Sequence, residues 1–280
     1  MDSIYRSTAG REQIRRWCGE RLDAWPVAHE RLSLTANGAR THAVIAGSGP
    51  TTVVFVPGTN FNAAVSLPLA TALVSAGHRL VVPDVPGQPG LSSGERGISG
   101  GRLSWYGTWL SEVLDAVAAG PAVVAGHSFG AAIALSSASP RIERLVLLSP
   151  GGLGRLRLSP GLLAASAAWF VRPTAARSAR LLRAMHAPGR RPRAELVDWM
   201  TLVARHSRSS GAPGRAELPA REVPRLVATG AYDTFLPPRR LAPAVRAALG
   251  TGLHVVPDAG HLLVDEHPDR VAALIRGGDL

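Results

Sequence analysis

Two kinds of hydrophobic pattern alternate along most of this chain. From about Arg31, short runs rich in β-branched residues recur as "RLSLT", "THAVIA", "TTVVFVPG", "HRLVVPD", "PAVVAGHS", "IERLVLLSP", "PRLVATGAYD" and "GLHVVPDAGH". The later runs are apolar throughout, as strands covered on both faces must be. Between them, "AAVSLPLATALVSAG" and "LSWYGTWLSEVLDAVAAG" have apolar positions at helical spacing. The pattern predicts an α/β fold with a mostly parallel sheet of eight strands, flanked by helices.

The beginning of the chain departs from this alternation. The first two runs flank "ANGAR", whose Asn-Gly pair predicts a tight turn and hence an antiparallel hairpin at one sheet edge. Residues 1–30 precede the sheet and are predicted to form a helical arm with one apolar face. That face consists of Ile14, Trp17, Cys18, Leu22 and Trp25. We expect it to pack against the body of the protein; the alternative is a helix that binds a partner or a membrane surface.

The alternation stops again in an insertion between Leu153 and Glu222. This stretch has helical spacing, as in "LLAASAAWFV" and "AELVDWMTLVARH", and is interrupted by prolines at positions 160, 173, 188, 192, 213 and 219. It is too short and too interrupted to suggest an independent domain. We interpret residues 153–222 as a helical, Arg-rich lid on a core formed by residues 31–152 and 223–280.

The positive charge of the chain is concentrated in this insertion. The whole chain carries a net charge of +11, and residues 153–222 contribute +9 through 13 arginines against four acidic residues. All 31 basic residues are arginine, which excludes a lysine-dependent phosphate-binding loop and a Schiff-base lysine. Such usage is typical of a genome-wide nucleotide bias. The alternative, a nucleic-acid or anionic-membrane patch, has neither aromatic interleaving nor a recognised motif, so we expect no nucleic-acid partner.

Cysteine content and hydropathy indicate the compartment. The single cysteine, Cys18, excludes an internal disulfide and a Cys-rich metal site. The N-terminal "MDSIYRSTAGREQIRRW" scatters charges where a secretory signal needs an apolar region. No apolar run approaches the roughly 18 to 20 residues of a membrane span. We therefore expect a cytoplasmic protein without integral membrane contact.

One serine lies between two glycines directly after a buried run. Residues Gly126 to Gly130, "GHSFG", match the pattern G-x-S-x-G, which is weak evidence alone. The preceding "AVVA" predicts a strand, however, and the following "AAIALSSA" predicts a helix. A strand, a sharp turn and a helix are typical of a nucleophile elbow, which projects the serine hydroxyl from the carboxyl end of the strand. Ser128 is therefore the predicted nucleophile.

A serine nucleophile needs a base, and a histidine base works best beside a carboxylate. Two later strands are predicted to end at Asp233 and His261, on the sheet edge that carries Ser128. The chain order Ser128, Asp233, His261 suits this architecture. Asp258 is the alternative acid, but it shares the loop of His261, and we expect it to stabilise that loop. His127 occupies an "x" position of the motif and is predicted to be structural.

In these features the chain resembles the α/β-hydrolase superfamily, in its serine-nucleophile branch of esterases and lipases. The resemblance extends from Arg31 to the C-terminus. It rests on "PGTNF", "PDVPGQPGLS", "GHSFG", "GAYD" and "GH" after the third, fourth, fifth, seventh and eighth strands. It implies an α/β-hydrolase fold with the lid inserted after the sixth strand. A serine in the elbow argues against the aspartate-nucleophile branches, such as the epoxide hydrolases.

The resemblance also implies an oxyanion hole. Its donors are the main-chain N–H of Phe129 and an N–H from the loop after the third strand, for which Thr59 is the first candidate and Asn60 the next. The sequence departs from the family at two places. Pro57-Gly58 replaces the common His-Gly pair, and Gln88 stands where many members have histidine.

Together these residues predict a serine hydrolase that forms an acyl-enzyme with a small acyl substrate, cleaving an ester, lactone, thioester or C–C bond. The apolar lid residues suggest a hydrophobic substrate, although packing of lid on body would explain them equally. These are Trp169, Phe170, Met185, Trp199 and Met200. The alternatives are a tailoring enzyme (acyltransferase, lyase or cyclase) and a non-catalytic small-molecule binding module. No cofactor is predicted.

No metal site is predicted, because His261, Asp265 and His267 match no zinc signature. The sequence carries no signal for an oligomeric state.

Overall fold

One sheet of eight strands organises the protein. The computed structural model describes residues 3–95, 101–154, 159–208, 211, 214–220 and 222–277. The strands are β1 (His29–Ala36), β2 (Ala39–Ala46), β3 (Thr52–Val56), β4 (Arg79–Pro83), β5 (Ala122–His127), β6 (Ile142–Leu148), β7 (Arg225–Gly230) and β8 (His254–Val256). They lie in the order β1-β2-β4-β3-β5-β6-β7-β8. The pairs β1–β2 and β2–β4 are antiparallel and the others are parallel, which confirms the predicted mostly parallel sheet.

The helices flank this sheet on both faces. They are α1 (Thr8–Asp23), α2 (Leu67–Ser75), α3 (Arg102–Val117), α4 (Phe129–Ser136), α5 (Pro160–Val171), α6 (Ala175–Met185), α7 (Ala194–His206), α8 (Pro238–Leu249), α9 (Leu263–Glu266) and α10 (Pro268–Arg276). Pro68 lies in the first turn of α2, where the missing N–H would have no helical partner. Among the described helices, none is long and apolar enough to cross a membrane.

Alternate residues of the central strands belong to two separate hydrophobic clusters, one on each face of the sheet. Val53 and Phe55 of β3 belong to the cluster that also contains α1, α2 and α10. Val54 and Val56 belong to the cluster on the opposite face, with α3, α4 and α8. Since side chains alternate between faces along a strand, both faces of β3 must be apolar. This explains the continuous apolar runs in the sequence.

The insertion after β6 contains three helices. α5 and α6 begin at side-chain caps, where Ser159 Oγ accepts from the Leu162 N–H at 3.2 Å and Thr174 Oγ1 from the Arg177 N–H at 3.4 Å. We call α5 to α7 the helical segment. Of the predicted lid, residues 155–158, 209, 210, 212, 213 and 221 lie outside the described residues.

The N-terminal helix α1 packs between the body and the helical segment. Its buried side chains Ile14, Cys18 and Leu22 lie in the main core, fully shielded from solvent. The ring of Trp17 lies 4.8 Å from that of Trp199 in α7, centroid to centroid. Upstream of α1, the Ile4 N–H donates to Gly94 O at 2.7 Å and its carbonyl accepts from the Arg208 N–H at 2.8 Å. This short stretch therefore ties the end of α7 to the loop after β4.

Cys18 lies deep in this interface. The Asn62 side-chain N–H₂ donates to its sulfur at 3.3 Å, and burial raises the pKa of the thiol well above its ordinary value. A buried thiol of raised pKa is rarely a thiolate and reacts slowly. Cys18 is thus a small core residue.

The packing of α1 can be tested with one buried and one exposed substitution. Leu22→Ala leaves a cavity between α1 and the core, so we expect the free energy of unfolding to fall by about 2–5 kcal/mol. Gln13→Ala, on the exposed side of the same helix, should change it by no more than about 0.5 kcal/mol. Urea denaturation of both variants measures the difference. Equal effects would contradict the core role of α1.

Candidate active site

Ser128 lies at a sharp turn between β5 and α4. Its backbone has φ 52° and ψ −108°, a conformation that costs energy for a residue with a side chain. The turn is held by the Ser128 N–H, which donates to Leu148 O at 2.9 Å, and by the Ser128 carbonyl, which accepts from the Gly151 N–H at 3.0 Å. The structure therefore contains the predicted strand–turn–helix arrangement around this serine.

The two glycines of the motif are required by close backbone contacts. A Cβ at Gly130 would lie 2.0 Å from Val56 O, and one at Gly126 would lie 2.6 Å from the Ala131 nitrogen. Neither position can accept a side chain without moving the main chain. These glycines let α4 pack directly on the strands while Ser128 projects outward.

Ser128, His261 and Asp233 form one hydrogen-bonded chain. His261 Nε2 lies 3.1 Å from Ser128 Oγ, and His261 Nδ1 lies 2.9 Å from Asp233 Oδ2. An ionised carboxylate only accepts hydrogen bonds, so Nδ1–H donates to Asp233 and Nε2 accepts from the serine hydroxyl. The side chains come from the loops after β5, β7 and β8, which meet at the carboxyl edge of the sheet.

The Asp233 carboxylate is buried, and both of its oxygens accept hydrogen bonds from the protein. Oδ1 accepts from the N–H groups of Phe235 and Leu236 at 2.9 and 2.8 Å, and Oδ2 accepts from Thr229 Oγ1 at 3.1 Å. Burial would raise the pKa of Asp233, but the adjacent His261 and the hydrogen bond from the Leu236 N–H hold it well below its usual value. Asp233 is therefore anionic at neutral pH and can stabilise a protonated His261.

The loop after β3 lies directly against the elbow. A Cβ at Gly58 would be 2.9 Å from His127 Nδ1, so the glycine of the unusual Pro57-Gly58 pair is needed for this approach. Within the described residues, the N–H groups of Thr59 and Phe129 have no hydrogen-bond acceptor. The N–H of Asn60 is engaged, since it donates to Gln88 Oε1 at 2.9 Å. Of the two candidate oxyanion donors in this loop, only Thr59 has an N–H that makes no hydrogen bond within the described residues.

Comparison with known proteins agrees with this geometry. A sequence profile described as the alpha/beta hydrolase family matches residues 53–274. The chain belongs to the alpha/beta hydrolase family. Family membership supports hydrolase activity in general terms. A search of curated proteins finds no significant match.

Solved structures share the fold of this alpha/beta hydrolase at low sequence identity. Carboxylesterase CesB from Bacillus subtilis is 19% identical, with a TM-score of 0.79 over 97% of this chain and 100% of the other. Naproxen esterase from Bacillus subtilis is 18% identical, with a TM-score of 0.77 over 97% and 98%. A meta-cleavage product hydrolase from Pseudomonas fluorescens is 21% identical, with a TM-score of 0.69 over 89% and 96%.

The other acidic and histidine residues considered from the sequence have separate partners. Asp258 is exposed at φ 57°, and its carbonyl accepts from His267 Nε2 at 2.8 Å. Asp265 accepts from Arg193 Nε at 2.5 Å. His261, Asp265 and His267 therefore make three different sets of contacts. Across the described part of the chain, no group of three or more His, Cys, Asp or Glu side chains is arranged to hold a metal ion.

The large apolar residues of the helical segment serve its packing. Trp199, Trp169 and Met200 are 0%, 3% and 4% exposed. Trp169 Nε1 donates to Met200 O at 2.9 Å, and Trp199 Nε1 donates to Asn60 O at 2.7 Å. Phe170 and Met185 are partly buried against the same core. Packing within the segment and against the body thus accounts for the burial of these residues, and the hydrophobic substrate stays a prediction.

Three polar residues at the site were missed by sequence reasoning or were given no role there. Gln88 holds the Asn60 N–H, and the Asp84 carboxylate accepts from the N–H groups of Ala63 and Leu91 at 2.9 and 2.8 Å. Glu266 accepts from the Gly260 N–H at 2.8 Å. Each is a polar residue close in sequence to a predicted strand end or to His261, which is the signal that could have singled it out.

His127 is a buried neutral histidine beside the candidate base. Its Nε2 lies 2.8 Å from His261 O, and because a carbonyl only accepts, Nε2 carries the proton. Burial, followed by the proximity of His261, lowers the pKa of His127 to about 3. His127 thus links the elbow to the loop of His261 through this hydrogen bond, which describes the predicted structural role in detail.

This burial makes a prediction about stability and pH. The pKa of His127 is 6.5 when unperturbed and about 3 in the folded protein, so the unfolded chain takes up the proton first as the pH falls. Stability should therefore decrease through this range. Between about pH 6 and pH 4, the wild type should lose up to about 1.4 kcal/mol more per pH unit than His127→Gln. Urea denaturation at a series of pH values measures both slopes, and parallel slopes would contradict the assignment.

Proposed function

We propose that this protein is a serine hydrolase that cleaves an ester, lactone, thioester or C–C bond of a small acyl substrate. The observation that supports this most directly is the hydrogen-bonded chain from Ser128 Oγ through His261 to Asp233. Family membership over residues 53–274 supports the same chemistry. Ser128 acts as nucleophile, His261 as general base and acid, and Asp233 as the group that orients the base.

The first half of the reaction forms an acyl-enzyme. Ser128 Oγ attacks the acyl carbonyl carbon while His261 Nε2 takes the hydroxyl proton, and the Asp233 carboxylate stabilises the resulting imidazolium. The N–H groups of Phe129 and Thr59 donate to the developing oxyanion. When the tetrahedral intermediate collapses, the leaving group takes the proton from His261.

The second half regenerates the enzyme. Water attacks the acyl-serine ester, His261 removes its proton, and the acid product leaves as the proton returns to Ser128 Oγ. If another nucleophile takes the place of water, the same acyl-enzyme gives transfer or cyclisation. Hydrolysis, acyl transfer and cyclisation by acyl transfer therefore differ in the acceptor and share the same first half, whereas a lyase reaction in this site would not use an acyl acceptor.

The helical segment is proposed to act as the lid of this site. Its contacts with the site support the assignment, because the His261 N–H donates to Met185 O at 2.8 Å and Trp199 Nε1 donates to Asn60 O. The end of α6 therefore borders the base, and α7 borders the loop after β3 that carries the proposed oxyanion donor Thr59. The proposed lid is the Arg-rich stretch of residues 153–222 on a core of residues 31–152 and 223–280.

Labelling with a fluorophosphonate probe tests the nucleophile. The probe forms a bond with serines that a neighbouring base activates, so the wild type should be labelled. Ser128→Ala should not be labelled, although it should fold like the wild type by circular dichroism. A folded wild type that resists the probe would exclude an activated serine.

The same preparations identify the reaction class. Turnover of 4-nitrophenyl esters of increasing acyl length supports hydrolysis and reports the size of the acyl pocket. Labelling without ester turnover would favour the acyltransferase, lyase or cyclase alternative. Absence of both would favour the binding module.

Matched substitutions of two aspartates test the acid. Asp233→Asn removes the charge that fixes the His261 tautomer, so kcat should fall by about 10³- to 10⁴-fold. Asp258→Asn should change kcat by less than about threefold, because surface substitutions away from the site have small effects. Steady-state kinetics on the best ester of the panel measures both. A larger loss from Asp258→Asn would reverse the assignment.

A further inference from the structure

The main chain around His261 is held by hydrogen bonds to three other residues of the protein. The His261 N–H donates to Met185 O at 2.8 Å, and the His261 carbonyl accepts from His127 Nε2 at 2.8 Å. The N–H of the preceding residue, Gly260, donates to Glu266 Oε1 at 2.8 Å. The position of the base therefore depends on partners outside the Ser128–His261–Asp233 chain.

Glu266 is the partner that also contacts the helical segment. Its second oxygen, Oε2, accepts from the Ala187 N–H at 2.7 Å, in the turn that follows α6. The residue is only 9% exposed, so both hydrogen bonds are shielded from water. One carboxylate thus joins the loop of the base to the turn between α6 and α7.

The two stretches of main chain that Glu266 joins are in direct contact. A Cβ at Gly260 would lie 2.3 Å from Met185 O and 2.8 Å from the Ala187 nitrogen. Gly260 is therefore pressed against the turn at a distance that no side chain allows. Any shift of this turn would move Gly260 and, with it, the adjacent His261.

We propose that Glu266 is a positioning residue, which fixes the loop of His261 against the turn after α6 and so keeps Nε2 at hydrogen-bonding distance from Ser128 Oγ. A carboxylate suits this role because each of the two N–H donors is bound by a different oxygen, and neither a hydroxyl nor an amide has two acceptor oxygens. The inference rests on the proposed serine hydrolase. It adds that the helical segment acts on the rate of acylation through this side chain.

The neighbouring Asp265 provides a matched control. It also contacts the helical segment, through Arg193 Nε at 2.5 Å and His186 Nε2 at 3.7 Å, and it is the residue next to Glu266. No hydrogen bond joins its carboxylate to the described main chain of Gly260 or His261. Asp265→Asn therefore weakens the attachment of the segment without removing a contact of the base.

The test compares the wild type with three variants, Glu266→Gln, Asp265→Asn and Ser128→Ala. For each protein we would measure the rate of fluorophosphonate labelling, kcat and KM on 4-nitrophenyl acetate, and the thermal unfolding temperature. Glutamine has one acceptor oxygen, so one of the two N–H groups loses its partner. We expect Glu266→Gln to lower kcat and the labelling rate by about 10- to 100-fold, because small displacements of a catalytic group have effects of this size. KM should change by less than about threefold. Asp265→Asn should retain both rates, whatever its unfolding temperature.

The outcomes separate the two claims. A wild type that is not labelled overturns the proposed function and this inference with it. A labelled wild type together with a Glu266→Gln protein of normal rate overturns only the role of Glu266. Equal rate losses in the Glu266 and Asp265 variants would mean general loosening and would also overturn it. If Glu266→Gln does not fold, Glu266→Asp serves instead, since its shorter carboxylate cannot reach both N–H groups and its kcat must fall.

Discussion

The close approach of α4 to the central strands is the constraint on which the site depends. With Gly130 against Val56 O and Gly126 against α4, the chain has no room to turn gradually between strand and helix. The turn is completed within one residue, and Ser128 adopts a positive φ that a larger turn would avoid. Packing of the core thus compensates for local strain, and the strain directs the serine hydroxyl out of the sheet edge.

The rest of the site is built from loops that leave the same edge of the sheet. Parallel strands place their carboxyl ends together, so residues far apart in sequence meet without long connections. Buried polar groups then fix the loops relative to one another. Gln88 binds the loop after β3, His127 binds the loop of His261, and Asp84 binds the loops after β3 and β4. In a water-poor site each such bond is costly to break, which favours a single arrangement of the loops.

Local pattern predicted the strands, most helices and the three residues of the hydrogen-bonded chain. Ser128, Asp233 and His261 were accessible to sequence reasoning because each lies shortly after the end of its own predicted strand. The order of the strands was not accessible, since β4 pairs with both β2 and β3 and local pattern does not specify which strands pair. The sequence also did not reveal the hydrogen bond from the Asn60 N–H to Gln88, 28 residues away, or that from the Ala187 N–H to Glu266, 79 residues away. Such contacts depend on which loops meet in space, and hydrophobic periodicity carries no information about that.

The burial of Cys18 leaves the folded protein without an accessible thiol. The only thiol of the chain is enclosed on the buried face of α1, and the chain has no lysine side chain. A cysteine introduced at an exposed position, such as Arg180 of α6, would therefore be the sole accessible thiol of the folded protein. A fluorophore or spin label attached there would report on the helical segment against a background free of other labelled sites. Any movement of the helical segment relative to the core could then be measured in solution, without removing any native residue of the core.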